Sequence, residues 1–167
     1  MTKPLILPFT LADHGEALAL WQATPGVGLS EADGREAIGR FLQRNPGTSF
    51  VARADGRLVA TLLCGHDGRR GLVHHLVVHP ASRRRGLGAQ LVRRALQALA
   101  GQGIGKCHLM VFRDNAEGRA FWDGIGADER VTLSLYSLGT EGPASGPTDG
   151  PILGPGALPV SRPGAAP

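Results

Sequence analysis

The apolar positions switch between two periods along the chain, and each switch marks an element. Residues 5–9 form a short apolar run that predicts a first strand. Thr10 followed by Asp13 makes a capping box, with Asp in place of Glu or Gln, and opens a helix to about Ala23. Pro25, Gly26 and Gly28 end it, and Ser30 with Asp33 starts a second helix reaching about Asn45. Residues 49–54 and 57–65 predict strands joined across Asp55-Gly56, a strong hairpin signal. A second turn at Asp67-Gly68 leads into a strand over 71–78. Leu87, Leu91, Ala95 and Leu99 recur every four positions and give a helix one apolar face. A strand over 106–112, a helix over 115–125 and a last strand over 130–138 complete the order β-α-α-β-β-β-α-β-α-β. That order predicts an α/β (α+β) domain with a central mixed sheet flanked by helices.

Composition adds a boundary. Residues 139–167 hold seven Gly and seven Pro in 29 residues, with a proline at every fourth position from Pro143 to Pro167. Proline at that density forbids helix and sheet ladders, so 139–167 reads as a disordered tail behind a domain spanning 1–138. With 42% hydrophobic residues, the 167-residue chain supports one domain with a sizeable core. Its apolar runs fall short of the roughly 20 residues of a membrane span. The start, MTKPLILPFT, is too short in its apolar part for a secretory signal. The expectation is a cytoplasmic protein without membrane contact. Cys64 and Cys107 sit in apolar runs and read as buried reduced thiols.

The net charge of +4 permits an anionic ligand without demanding nucleic acid. Where that charge sits matters more. Over residues 76–91, LVVHPASRRRGLGAQL, an apolar strand ends and a cationic, glycine-containing turn opens an amphipathic helix. Glycines allow close backbone approach, and a helix start presents unpaired N–H groups and the positive end of its dipole. Arg83, Arg84 and Arg85 add charge, so the turn reads as an anion cradle suited to a pyrophosphate. A dinucleotide fingerprint fails, because Leu91 stands where its third small residue belongs. A Walker loop fails as well, with Ala100 at its first glycine and Cys107 at its Ser/Thr. What remains is R-x-x-G-x-G, as Arg83, Gly86 and Gly88.

This motif resembles the pyrophosphate-binding turn of the GNAT superfamily of coenzyme A-dependent N-acyltransferases. A second family motif, roughly N-x-x-A-x-x-F-Y ending in G-F, is matched by Asn115, Gly118, Phe121, Trp122 and Gly126-Ala127. The resemblance covers about residues 4–138 and is greatest to small stand-alone bacterial members. It implies a GNAT fold: a mixed, mostly antiparallel sheet of 6–7 strands with about four helices, splayed between the fourth and fifth strands. It implies acetyl-CoA as co-substrate and an amine acceptor, either a small molecule or a protein amine. Family members often dimerise, which leaves a homodimer open. The cofactor residues it implies are Arg83, Arg84, Arg85, Gly86, Leu87, Gly88 and Ala89 in the turn, with Asn115 on the pantetheine arm. Phe121 and Trp122 would flank the cofactor, and a backbone N–H near Val77 or Val78 would serve the thioester oxygen.

The chemistry needs a base more than an acid. A lysine-like amine at pH 7 lies roughly 5 kcal/mol above its ammonium form, whereas expelling a thiolate costs about 2 kcal/mol. This matters because Trp122 replaces the tyrosine that many members use to protonate the thiolate, and indole cannot do so. For the base, side chains alternate along a strand, so only one of His74 and His75 is expected to face the acceptor cleft. The family carboxylate falls at Leu72, and parity with it selects His74. Glu31 is the second candidate, with Asp33 beside it; both also suit a helix start. His66, His74, His75, His79 and His108 lack metal-ligand spacing, so no metal is expected. Two other functions compete. One is a nucleic-acid module using Arg83–Arg85, Arg93 and Arg94, disfavoured by scarce aromatics. The other is a catalytically weak acyl-CoA-binding or regulatory protein of the same fold.

Overall fold

The computed structural model describes residues 3–140, so the expected tail lies outside the described residues except for Gly139 and Thr140. Five strands form one sheet in the order β1-β2-β3-β4-β5: Leu5–Pro8, Phe50–Ala54, Arg57–His66, Gly71–Val78 and Cys107–Leu109. The first four pair antiparallel, and β5 pairs parallel to β4. Four α-helices flank the sheet: α1 (His14–Gln22), α2 (Arg35–Arg44), α3 (Leu87–Gly101) and α4 (Ala116–Gly124). One-turn 3-10 helices precede the first three.

Local chemistry accounts for most of these elements. The predicted capping box of Thr10 with Asp13 forms, and the helix start at Ser30 and Asp33 proves to be a second one. Asp55 and Gly56 both take left-handed backbone, as the tight β2–β3 hairpin requires. The sheet buries a different cluster on each face. Leu62, Cys64 and Val73 point toward α3, whose Leu87, Leu91, Ala95 and Leu99 supply the opposing apolar stripe. Leu63 and Val77 point the other way, toward Trp21 and Leu20 of α1 and Ile38 of α2.

Strand number departs from expectation. Among the described residues the sheet has five strands, not 6–7, because 130–138 makes no ladder. Its apolar residues are exposed, from Leu133 at 64% to Leu138 at 97%. Alternation specifies a two-faced segment, but a strand also needs a neighbouring edge to bond. Here β5 ends at Leu109 and offers only three residues, where a strand over 106–112 was expected.

The feature that positions the site is a bulge in β4. Pairing with β3 runs Leu63↔His74 and then Thr61↔Val77, so β4 carries one residue more than β3 across this step. His75 adopts a left-handed φ of 45° there, a conformation that histidine tolerates better than most residues. Its carbonyl accepts a 2.9 Å hydrogen bond from Thr61 Oγ1, which itself accepts one from Trp21 Nε1 at 2.8 Å. Thr61 and Trp21 are almost fully buried. Replacing Thr61 with Val keeps the shape and strands both partners, so unfolding stability should fall by about 1–3 kcal/mol. Urea denaturation followed by tryptophan fluorescence checks this, and an unchanged midpoint would show that the hydroxyl does not hold the bulge.

Candidate active site

The anion cradle is built where β4 hands over to α3. His79 accepts a hydrogen bond from Ala81 N and shapes the Pro80 turn. Arg84 and Gly86 then take left-handed φ values of 60° and 71°. Helix α3 starts at Gly86 without a side-chain cap, and its first intrahelical donor is Gln90, bonded to Gly86 O. The N–H groups of Leu87, Gly88 and Ala89 therefore lack helical acceptors at the positive end of a 15-residue helix. Arg84, Arg85 and Gly86 are exposed. A Cβ on Gly86 would meet only Gln90, at 4.0 Å, so the approach to this turn is open. These features fit a diphosphate group such as that of coenzyme A.

The three arginines do not share one environment. Arg83 turns back to the fold, donating from Nε to Val78 O at 3.0 Å and pairing with Glu117 at 3.1 Å. It braces the end of β4 against α4, and its Glu117 pair is exposed. Gly88 serves packing: a Cβ there would lie 3.2 Å from the Phe121 ring. Phe121 and Trp122 stand edge to face at 5.1 Å and pack on the α3-side core. Asn115 caps α4 by accepting from Gly118 N at 2.8 Å. Gly118 stands where the resembled motif has Ala, since a Cβ would come 2.7 Å from Asn115 Nδ2.

The bulge overturns the parity argument for the histidines. His74 lies edge to face with Phe41 of α2, and His75 sits 4.5 Å from the Trp21 ring of α1. Both therefore face the α1/α2 side, because the extra residue shifts the alternation by one. His75 Nε2 and Asp33 Oδ1 lie 2.5 Å apart, both largely buried. Asp33 Oδ2 accepts from Ser30 N, so one carboxylate caps its own turn and reaches β4. Burial alone would raise the pKa of Asp33, but hydrogen bonds from His75 and the Ser30 amide outweigh it and hold the carboxyl below its usual range. Glu31 is placed apart: it is exposed, and its side chain has no hydrogen bond or ion pair among the described residues. Asp33, rather than Glu31, reaches the strand.

His74 is the available base on this face. Burial, and then the neighbouring His75, push its pKa below 6.5, so the ring is neutral at pH 7. Neither ring nitrogen has a hydrogen-bond partner among the described residues, and neither is sealed from solvent. His74 and Leu72 line one cavity of about 350 Å³. Val77 is buried toward α1 and Val78 packs toward α3. Tyr136, the one tyrosine, is 88% exposed. No group of His, Cys, Asp and Glu able to hold a metal occurs among the described residues. No described helix is long and apolar enough to cross a membrane. Nothing in the sequence singles out Trp21 and Thr61, whose partners lie far away in the chain.

Comparison with known proteins agrees with this geometry. The Acetyltransferase (GNAT) family profile matches residues 16–127. An acetyltransferase of Pectobacterium atrosepticum is 40% identical over 102 residues, covering 61% of this chain and 70% of the relative. The fold matches a ribosomal-protein-alanine N-acetyltransferase of Brucella melitensis biovar Abortus at TM-score 0.63 and 23% identity, covering 82% and 99% of the two chains. It also matches PaiA N-acetyltransferase of Thermoplasma acidophilum, solved with coenzyme A, at TM-score 0.65 and 19% identity, covering 75% and 89%. On the profile match and the cradle geometry together, this chain belongs to the GNAT family of acetyltransferases.

Proposed function

We propose that the chain transfers an acetyl group from acetyl-CoA to a primary amine by direct attack. The observation that carries this reading is the uncapped start of α3, with three orphan N–H groups beside exposed Arg84 and Arg85. Those groups suit the diphosphate of coenzyme A. Beyond Val73, the last β4 residue paired with β5, β4 runs on to Val78. We place the pantetheine arm beside that unpaired stretch, with Asn115 near it and a backbone N–H at Val77 or Val78 polarising the thioester oxygen.

Acetyl-CoA supplies the activated acyl carbon as its thioester. Its acceptor would enter from the α1/α2 side, where His74 is neutral and open. His74 accepts the proton that the amine sheds as the N–C bond forms and the C–S bond breaks. The leaving thiolate takes a proton from water, because Trp122 has none to give at neutral pH. Asp33 and His75 hold the neighbouring ring and its bulge in place, which makes them positioning residues. Glu31, exposed and outside the cavity lining, is left no role as the base.

Trp122 favours a second reading, an acyl-CoA-binding protein of the same fold with little turnover. Thiol release against a panel of amines separates the two: binding of coenzyme A with no release on any amine selects the second.

Two outcomes are expected. Calorimetric titration with coenzyme A should show binding, and Arg84→Glu with Arg85→Glu should weaken it by about tenfold or more. No binding, or binding indifferent to both changes, would remove the cradle from the mechanism. His74→Ala should lower kcat/KM by about 10²–10⁴. The wild-type profile should lose activity on the acid side only below pH 6.5, because the depressed pKa delays protonation of His74. An acid limb that persists in the variant would assign the base elsewhere.

A further inference from the structure

The cavity beside His74 carries information about the acceptor, and the argument here rests on the acetyltransferase function proposed above. Phe41 and Leu72 supply its apolar surface, and Asn45, His66 and His108 also line it. Its far end is Arg70, which immediately precedes β4. Arg70 stands four positions before His74 along an extended chain, about 13 Å between backbones. Two lining side chains at that spacing leave room between them for a short carbon chain or a ring.

Charge fixes what belongs at the far end. The Arg70 guanidinium is exposed and makes no ion pair among the described residues, its one hydrogen bond going to the Arg69 carbonyl. His108, across the cavity on β5, has no side-chain partner among the described residues. The other polar lining groups are engaged. Asn45 donates to Phe41 O and accepts from His66 N, and His66 itself is tied to Gln102 and Gly68. The one carboxylate, Asp67, accepts from the amides of Arg69 and Arg70 at 2.7 Å each. A cavity with His74 and Arg70 among its lining, apolar surface from Phe41 and Leu72, and a guanidinium without an ion pair matches a particular ligand polarity.

We infer that the acceptor is a small amine carrying a carboxylate at the far end of an apolar linker, with the amine at His74 and the carboxylate at Arg70. A polyamine or aminoglycoside would place cationic groups against the Arg70 guanidinium with only Asp67 to oppose it. Arg70 is thus a specificity-determining residue.

The test measures thiol release from acetyl-CoA with three acceptors: ω-amino carboxylates of graded chain length, n-alkylamines of the same lengths, and spermidine. The amino carboxylates should be preferred by about tenfold or more in kcat/KM, with an optimum at one length. Arg70→Gln should erase that preference and Arg70→Glu should reverse it, with thermal melts confirming that both variants fold. The wild-type series stands as a test even if a variant does not fold. Equal use of the series, or preference for spermidine, overturns the inference and leaves the acetyltransferase function standing. Coenzyme A binding without turnover of either series also overturns it. Failure to bind coenzyme A at all defeats the function on which it rests.

Discussion

One buried chain of hydrogen bonds holds this site in shape: Trp21 to Thr61, and Thr61 to the carbonyl of His75. A bulge removes a residue from the β ladder and leaves its polar backbone in need of a partner. Thr61 supplies that partner from the adjacent strand, and Trp21 in α1 completes the relay. The left-handed turn at His75 is tolerated because the surroundings fix it from both faces of the residue: the carbonyl by Thr61, the ring by Asp33 and Trp21. With a regular strand, His75 would join Val73 on the α3 side, among Leu91 and Leu99, and Asp33 would be a buried carboxylate without its partner.

The bulge also decides how two surfaces cooperate. The anion cradle belongs to the α3 side of the sheet, and the histidines belong to the α1/α2 side. They share β4, whose C-terminal half runs past the end of β5. Arg83 ties this half-strand to α4, so the groups on its two faces are held relative to one another by backbone rather than by mobile loops. In the proposed reaction a thioester bound from one side would meet an amine entering from the other, with the half-buried His74 ring where they meet.

Much of this was legible in the sequence. Capping boxes, the Asp55-Gly56 hairpin and the four-residue repeat of α3 are local signals, and local signals survive into the structure. The cradle was legible for the same reason, since a strand, a cationic glycine turn and a helix are contiguous. What escaped depends on partners distant in the chain. Alternation over 130–138 predicted a strand, but a strand exists only where another edge accepts it. Parity made His74 and His75 alternatives, and a single extra residue made them neighbours. The contacts Arg83 makes to Val78 O and Glu117 are set by the fold of the turn, which the sequence does not show. Glu31 and Asp33 could not be separated by composition, and only the turn geometry sends Asp33 inward.

The central claim is that both histidine rings face the same side of the sheet, and isotope-edited NMR tests it most directly. Nuclear Overhauser contacts should connect the His74 ring with Phe41 and the His75 ring with Trp21 in the same spectrum, with the His75 Nε2 proton sheltered by Asp33. Contacts from His75 to Leu91 or Leu99 of α3 instead would mean a regular strand, and with it the loss of the bulge.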